Sequence, residues 1–326
     1  AILYSPELLR KADYYLESEG WDYREHLAGY HKALRSMGAP VTFVQGTQDF
    51  FKYKVLIVAA YDHIDENMLK RLEDFAKKGG NVIFTARSGS KAKSGIFAAR
   101  ALPEAMERLI GAKIVSYDQI PREGKSKISH RGKSYDWNNW AEILELNGSI
   151  PLATHSAQYY TGRAVASFRI LSRGSISYFG FDTDSKSLEQ AMVRKIFERM
   201  RISFDLMELG TSKSWKDGFW FAMNFGKESQ RVPMDPYATV LMGDLDQGRG
   251  EVTVWTEKVK DKEAGVIRRT PVTSTVSKPT TKEGTKDKKD KDAKVKKEKV
   301  KKIKEAPEKE KSLFEQTMKE RKKKNN

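Results

Sequence analysis

Val55 to Ala60 is an unbroken apolar run, too short to cross a membrane and too continuous for a strand with one wet face. Such a run fits a strand buried on both sides. After Asp62-His63-Ile64-Asp65, the residues Leu69, Leu72, Phe75 and Ala76 recur at helical spacing. Gly79-Gly80 follows, where a helix ends on a residue tolerant of positive φ, and Asn81 to Thr85 supplies a second strand. The unit is a strand-helix-strand crossover, which predicts an α/β fold built on a parallel sheet with helices on both faces.

The flanking chain extends this pattern. Leu3-Tyr4 opens a strand, and Leu27, Tyr30, Leu34 and Met37 form one stripe of a helix stopped by Gly38 and Pro40. Val41 to Val44 is the next strand. Ser88 to Ala101 reads as a mobile loop, Leu102 to Ile110 as a short helix and Lys113 to Tyr117 as a strand. Beyond Pro121 the runs shorten: Ile150 to Ala153, then Ala164 to Leu171 and Ser175 to Phe181 as a hairpin, then a closing helix on Leu188, Met192, Ile196, Phe197 and Met200. Gly218 to Phe225, Ala238 to Met242 and Glu251 to Trp255 predict three strands of a small antiparallel sheet that must pack on a neighbour.

Charge separates the C-terminal segment from the rest. Of the net +16, residues 281–326 hold +9, from 19 Lys and Arg against 10 Asp and Glu. Phe314 is the single aromatic there, so this stretch has too little apolar surface to offset its ordering entropy and reads as a disordered basic tail. It offers polyanions a weak, nonspecific attraction. The chain has no cysteine, which excludes disulfides, thiolate zinc sites and cysteine nucleophiles. That leaves the compartment open, with the cytoplasm favoured. No stretch approaches ~20 apolar residues, so no membrane-spanning helix is expected. Ala1-Ile2-Leu3-Tyr4 reads as the first strand of a domain already under way, with something missing upstream.

Few residues carry a chemical signal. Asp62 and His63 sit just after a buried strand, where open α/β sheets gather ligand-binding loops; alternatively Asp62 or Asp65 caps the next helix and His63 is solvated. The loop Arg87-Ser88-Gly89-Ser90-Lys91 has the sign for contact with a phosphate, or for sugar contact, and otherwise is a solvated loop. Gly79-Gly80 follows a helix and opens a strand, the reverse of a phosphate-binding turn. His26 and His31 are five apart, off the spacing of a two-histidine metal face, and His130 and His155 lack telling neighbours. Trp137, Trp140, Tyr159 and Tyr160 suit either a sugar-stacking platform or anchors of an interface, and the interface is preferred. No catalytic residue, cofactor site or metal site is assigned.

Several segments, taken together and in order, resemble family 42 glycoside hydrolases, the β-galactosidases, in their non-catalytic C-terminal half. They are Tyr30 to Val41, Tyr53 to Ala60, Gly79 to Gly89, Trp140 to Leu146, Tyr160 to Val165 and Gly174 to Gly180. The resemblance covers roughly residues 1–257. It implies a flavodoxin or class I glutamine-amidotransferase-like α/β domain over 1–205 that mediates trimer formation. It also implies a small β-sandwich-like domain over 206–257, with residues 258–326 left as linker and tail. In this family two glutamates on a preceding (β/α)₈ barrel cleave the glycosidic bond, and a barrel needs roughly 250 residues that this chain does not have. Lys91-Ala92-Lys93 stands where the family has an acidic residue. The amidotransferase likeness is one of fold only, since the nucleophilic cysteine is absent.

The expectation is therefore the homo-oligomerising, trimer-forming portion of a β-galactosidase-like protein, inactive without a catalytic barrel domain upstream. Two rivals belong to other classes. One is a scaffold or polyanion-binding protein acting through its tail, and the other a carbohydrate-binding module built on Trp137, Trp140, Tyr159 and Tyr160.

Overall fold

A computed structural model describes residues 1–11, 21–92, 102–121 and 124–257. The basic tail, Lys93 and the rest of the expected loop through Ala101 lie outside the described residues. In chain order the first elements are β1 (Ile2–Tyr4), α1 (Pro6–Lys11), α2 (Tyr23–Arg35), β2 (Phe43–Gln45), β3 (Val55–Val58), α3 (Glu66–Lys77), β4 (Asn81–Thr85), α4 (Glu104–Ile110) and β5 (Ala112–Asp118). There follow β6 (Ser126–His130), β7 (Lys133–Trp137), β8 (Trp140–Leu146), β9 (Ile150–His155), β10 (Ala164–Leu171), β11 (Gly174–Phe179), β12 (Phe181–Asp182) and α5 (Ser187–Arg199). The last group is β13 (Thr211–Lys216), β14 (Phe219–Asn224), β15 (Gln230–Arg231), β16 (Thr239–Met242), β17 (Asp246–Gln247) and β18 (Val252–Thr256).

The main sheet runs β2-β1-β3-β4-β11-β10-β9-β6-β7. From β2 to β11 every pairing is parallel. From β11 onward the pairings are antiparallel, and β5, β8 and β12 form an antiparallel branch that leaves the sheet at β10. The sheet is therefore mixed: from β2 to β11 it is parallel as expected, and the remainder is antiparallel. The hairpin at Ser172-Arg173-Gly174 reverses the chain within the sheet, and β11 then returns beside β4 in parallel.

All four residues of β3 are buried, and they divide between two cores. Val55 and Ile57 pack with Tyr30, Leu34, Met192 and Ile196 of α2 and α5. Leu56 and Val58 pack on the other face with Leu72 and Phe75 of α3 and Met106 of α4. Alternating side chains of a central strand thus meet helices on each side, the reason an unbroken apolar run is needed there. Asp65 caps α3, its carboxylate accepting the Met68 N–H at 2.7 Å, and Gly79 closes it at φ +110°. The Gly pair is a helix stop, and the cap is Asp65 rather than Asp62.

The small sheet has the order β13-β14-β18-β16 around Ala222, Val232, Ala238 and Trp255, one strand more than the sequence spacing predicts. It is joined to the rest through α2. The Met207 N–H donates to Ser36 O at 2.7 Å, and the buried Lys213 ammonium donates to Asp205 at 2.8 Å while lying over Trp220 and Trp255.

Candidate functional site

The loops that follow β3 and β4 are sewn together at the carboxyl edge of the parallel strands. Gly89 N–H donates to Tyr61 O at 2.9 Å, Lys91 N–H to Asp62 O at 2.8 Å, and the Ser88 hydroxyl to Val58 O at 3.1 Å. Asp62 lies 3.6 Å from the Lys91 ammonium, and His63 Nδ1 lies 3.3 Å from Lys91 O. Burial pushes the Asp62 carboxyl up from its ordinary value. Lys91, where the resemblance leads one to expect an acid, here meets the Asp62 carboxylate. Arg87 and Ser88 are buried, so this stretch is not the solvated loop of the alternative reading.

Arg87 turns the chain at φ +68°, a conformation disfavoured for a side chain of its kind. Its guanidinium lies between the rings of Trp21 and Trp140, 4.7 and 4.8 Å from their centroids. Burial lowers its pKa to about 10. Beneath it, the fully buried Glu142 carboxylate accepts three hydrogen bonds: Arg87 N–H at 3.0 Å, Trp140 Nε1–H at 3.0 Å and the Tyr178 hydroxyl at 2.6 Å. Burial nonetheless pushes the Glu142 carboxyl up, against the pull of those donors.

A second buried network ties α2 to α5. His26 Nδ1 is 2.8 Å from Asp182 and Nε2 is 2.9 Å from the Thr85 hydroxyl, which itself accepts the Ala60 N–H at 2.7 Å. This chain assigns the tautomer: Nδ1–H donates to Asp182, and Nε2 accepts from Thr85. Burial lowers the His26 pKa, against the pull of Asp182. Burial also acts to raise Asp182, but Lys186 and His26 beside it prevail and hold it below the usual carboxylate range. Lys186 reaches Glu189 as well, at 3.7 Å, and the Glu189 carboxylate accepts the Thr183 N–H at 2.9 Å. Every charge in these two networks is matched by another side chain or backbone group. The arrangement locks loops together and presents no nucleophile beside an unoccupied base. Among the described residues no group of three or more His, Cys, Asp or Glu side chains is placed to hold a metal ion, and no helix is long and apolar enough to cross a membrane.

The aromatic residues separate into two sets. Trp137 and Trp140 are buried in the chain's own core, Trp137 edge-on to His155 and Trp140 stacked on Tyr117 at 4.2 Å. That corrects the expectation of a sugar platform or subunit anchor at the two tryptophans: their faces are already covered within one chain. Tyr160 is also buried and donates to Asp118, whereas Tyr159 is 90% exposed and Tyr117 58% exposed. Tyr117 and the exposed Val115 lie on β5, which pairs with β8 on one side only among the described residues, and Tyr159 packs on Tyr160, whose hydroxyl reaches Asp118 of the same strand.

Sequence reasoning missed Trp21, His26, Glu142, Asp182, Lys186 and Glu189. One signal was available, the acidic Glu142 inside the otherwise apolar Trp140-Ala-Glu-Ile-Leu run. His26 and Asp182, 156 residues apart, left none. The lysine-rich segment on which the polyanion reading rests lies outside the described residues.

A family model described as "Beta-galactosidase trimerisation domain" matches residues 1–205. β-Galactosidase BgaH of Haloferax lucentense is 23% identical over 232 residues, covering 70% of this chain and 34% of that protein. β-Galactosidase BgaA of Clostridium cellulovorans is 27% identical over 186 residues, covering 56% of this chain and 28% of that protein. The structure of a polyextremophilic β-galactosidase from the Antarctic haloarchaeon Halorubrum lacusprofundi shares the fold, with a TM-score of 0.69 at 20% identity, over 79% of this chain and 39% of that one. The chain spans about a third of the length of these curated relatives.

Proposed function

The chain belongs to the β-galactosidase trimerisation-domain family, and on that premise we propose that it is the assembly portion of a longer β-galactosidase, joining three copies and performing no catalysis itself. Residues 1–205 form the assembly domain in this reading and 206–257 a small accessory β domain. The parallel strands, in the order β2-β1-β3-β4-β11, support a flavodoxin or amidotransferase-like assignment for the first. The relatives are about three times longer than the matched region, and a catalytic (β/α)₈ barrel carrying the two glutamates would occupy the remainder.

The observation that carries the reading is the rim of β5. A cyclic trimer needs two different, complementary patches on each copy. β5, which carries the exposed Val115 and Tyr117 and pairs with β8 alone among the described residues, offers one of them, with rigid aromatic area extended by Tyr159 beside Tyr160. The buried networks at the carboxyl edge support a scaffold role, because they hold the base of that rim through the Tyr117–Trp140 stack.

Sedimentation velocity of the purified chain tests this. A species of three times the chain mass is expected, and Tyr159→Asp, at an exposed ring outside the Tyr117–Trp140 stack, should shift it toward monomer. A strictly monomeric chain at high concentration would overturn the proposal.

A further inference from the structure

Antiparallel sheets ordinarily turn one face to a core and the other to water, so their strands alternate apolar with polar residues. β14 departs from this, with Phe219-Trp220-Phe221-Ala222-Met223 apolar throughout. Register divides these residues between the two faces of the small sheet. Trp220 and Ala222 lie on the inner face, paired with Trp255 and Thr253, and belong to the core that includes Val232 and Ala238. Phe219, Phe221 and Met223 lie on the outer face together with Val252, Val254 and Met242, where Phe221 pairs with Val254 and Val254 in turn with Met242.

The inner face is covered and the outer one is not. None of the six outer residues belongs to any of the three apolar cores of the described residues. Phe219 is 41% and Met242 56% exposed, and the other four are half-buried. The remaining positions on this face are Ser and Thr, apart from Lys216 at one corner. A sheet whose second face is apolar and nearly free of charge has the composition of an inner layer, covered on both sides.

The size of the patch selects its occupant. Four strands about 4.8 Å apart, each presenting two or three residues, make a face of roughly 300 Å². A lasting complex between free molecules needs about 800 Å² from each partner. A second copy of the chain would also bring another net +16 to the contact. A domain tethered in the same polypeptide needs far less area, because the link holds it at a high effective concentration. The curated relatives have such a domain's worth of chain, since this chain covers 34% of one and 28% of another. We propose that the outer face of the small sheet seats the catalytic barrel domain of the same polypeptide, through an uncharged apolar contact centred on Phe221 and Val254. This rests on the reading of the chain as part of a longer β-galactosidase and adds to it the surface that joins the two parts.

Hydroxyl-radical footprinting read by mass spectrometry tests it, on the 326-residue chain and on the complete gene product. Met223 and Met242 should be oxidised in the chain alone and several-fold more slowly in the complete product. Trp215, 60% exposed on the other face, should react alike in both. Met242→Asp, at a side chain already more than half exposed, should leave the melting temperature of the 326-residue chain unchanged and lower that of the complete product by about 2–4 °C. A gene product without a further domain would overturn the functional reading and this inference together. A complete product in which Met242 reacts as fast as in the chain alone would overturn the inference and leave that reading standing. Protection of Met242 in the 326-residue chain as its concentration rises would assign the face to a second copy and equally overturn the proposal.

Discussion

Replacing Glu142 tests the view that the carboxyl edge is a structural lock. Its carboxylate receives three donors, all in the interior: Arg87 N–H, Trp140 Nε1–H and the Tyr178 hydroxyl. Glu142→Ala strands all three. A buried donor left without a partner costs about 1–3 kcal/mol, and neighbours in one network do not add fully, so a loss of about 3–5 kcal/mol is expected. Glu142→Gln keeps one oxygen for Arg87 and Trp140 and turns an amide N–H₂ toward Tyr178, whose oxygen accepts, so its cost should be about 1–2 kcal/mol. The two variants also differ from wild type in their response to pH. Burial raises the folded-state pKa of Glu142. Its contribution is therefore fully present below the unfolded carboxylate value of about 4.3 and is lost as pH rises through the folded value. Wild type should give up stability over that interval, and Glu142→Gln, which has no proton to lose, should give up less. Urea denaturation followed by tryptophan fluorescence, repeated from pH 4 to pH 8, measures both effects. If Glu142→Ala cost under about 1 kcal/mol, or if Glu142→Gln titrated like wild type, the three donors would have other partners and the lock would not exist.

Two further variants probe the α2–α5 network. A methyl group at Gly29 would stand 2.4 Å from Lys186 Cε, so Gly29→Ala should push the lysine off Asp182 and lower stability by about 2–3 kcal/mol, read from denaturant midpoints. Asp182 has its folded pKa depressed by Lys186 and His26 in spite of burial. Its stabilisation is therefore present above the unfolded value of about 3.9 and is lost as pH falls toward the folded one. Asp182→Asn should accordingly destabilise the chain near pH 7 by about 3–5 kcal/mol and flatten the acid limb of a stability–pH curve.

How far the sequence discloses this molecule depends on the range of the forces involved. The crossover from β3 to β4 is legible because its signals are local: an apolar run that only a doubly covered strand can use, helical spacing, and a glycine where φ is positive. The closing helix α5 and the β10–β11 hairpin are legible for the same reason. The β6–β7 hairpin is harder to read, since β6 buries only small or polar residues beside Ile128 and β7 is exposed except at Trp137, so both resemble polar loop sequence. β13 is hidden in the same way, with Lys213 at a position that proves to be buried between two tryptophan rings. Trp137 and Trp140 show the limit from the other side. Large aromatics do anchor interfaces, but only the fold reveals whether the chain has already covered them.

The site follows the same division, and the division bears on function. Asp62, His63, Arg87 and Ser88 lie in loops that follow parallel strands, a position that does not say whether their polar atoms face a ligand or one another. Between β3 and β4 they face one another: Asp62 meets Lys91, and Arg87 is clasped by Trp21, Trp140 and Glu142. Such matching suits a domain whose task is to hold a fixed shape, because each matched charge makes opening costly.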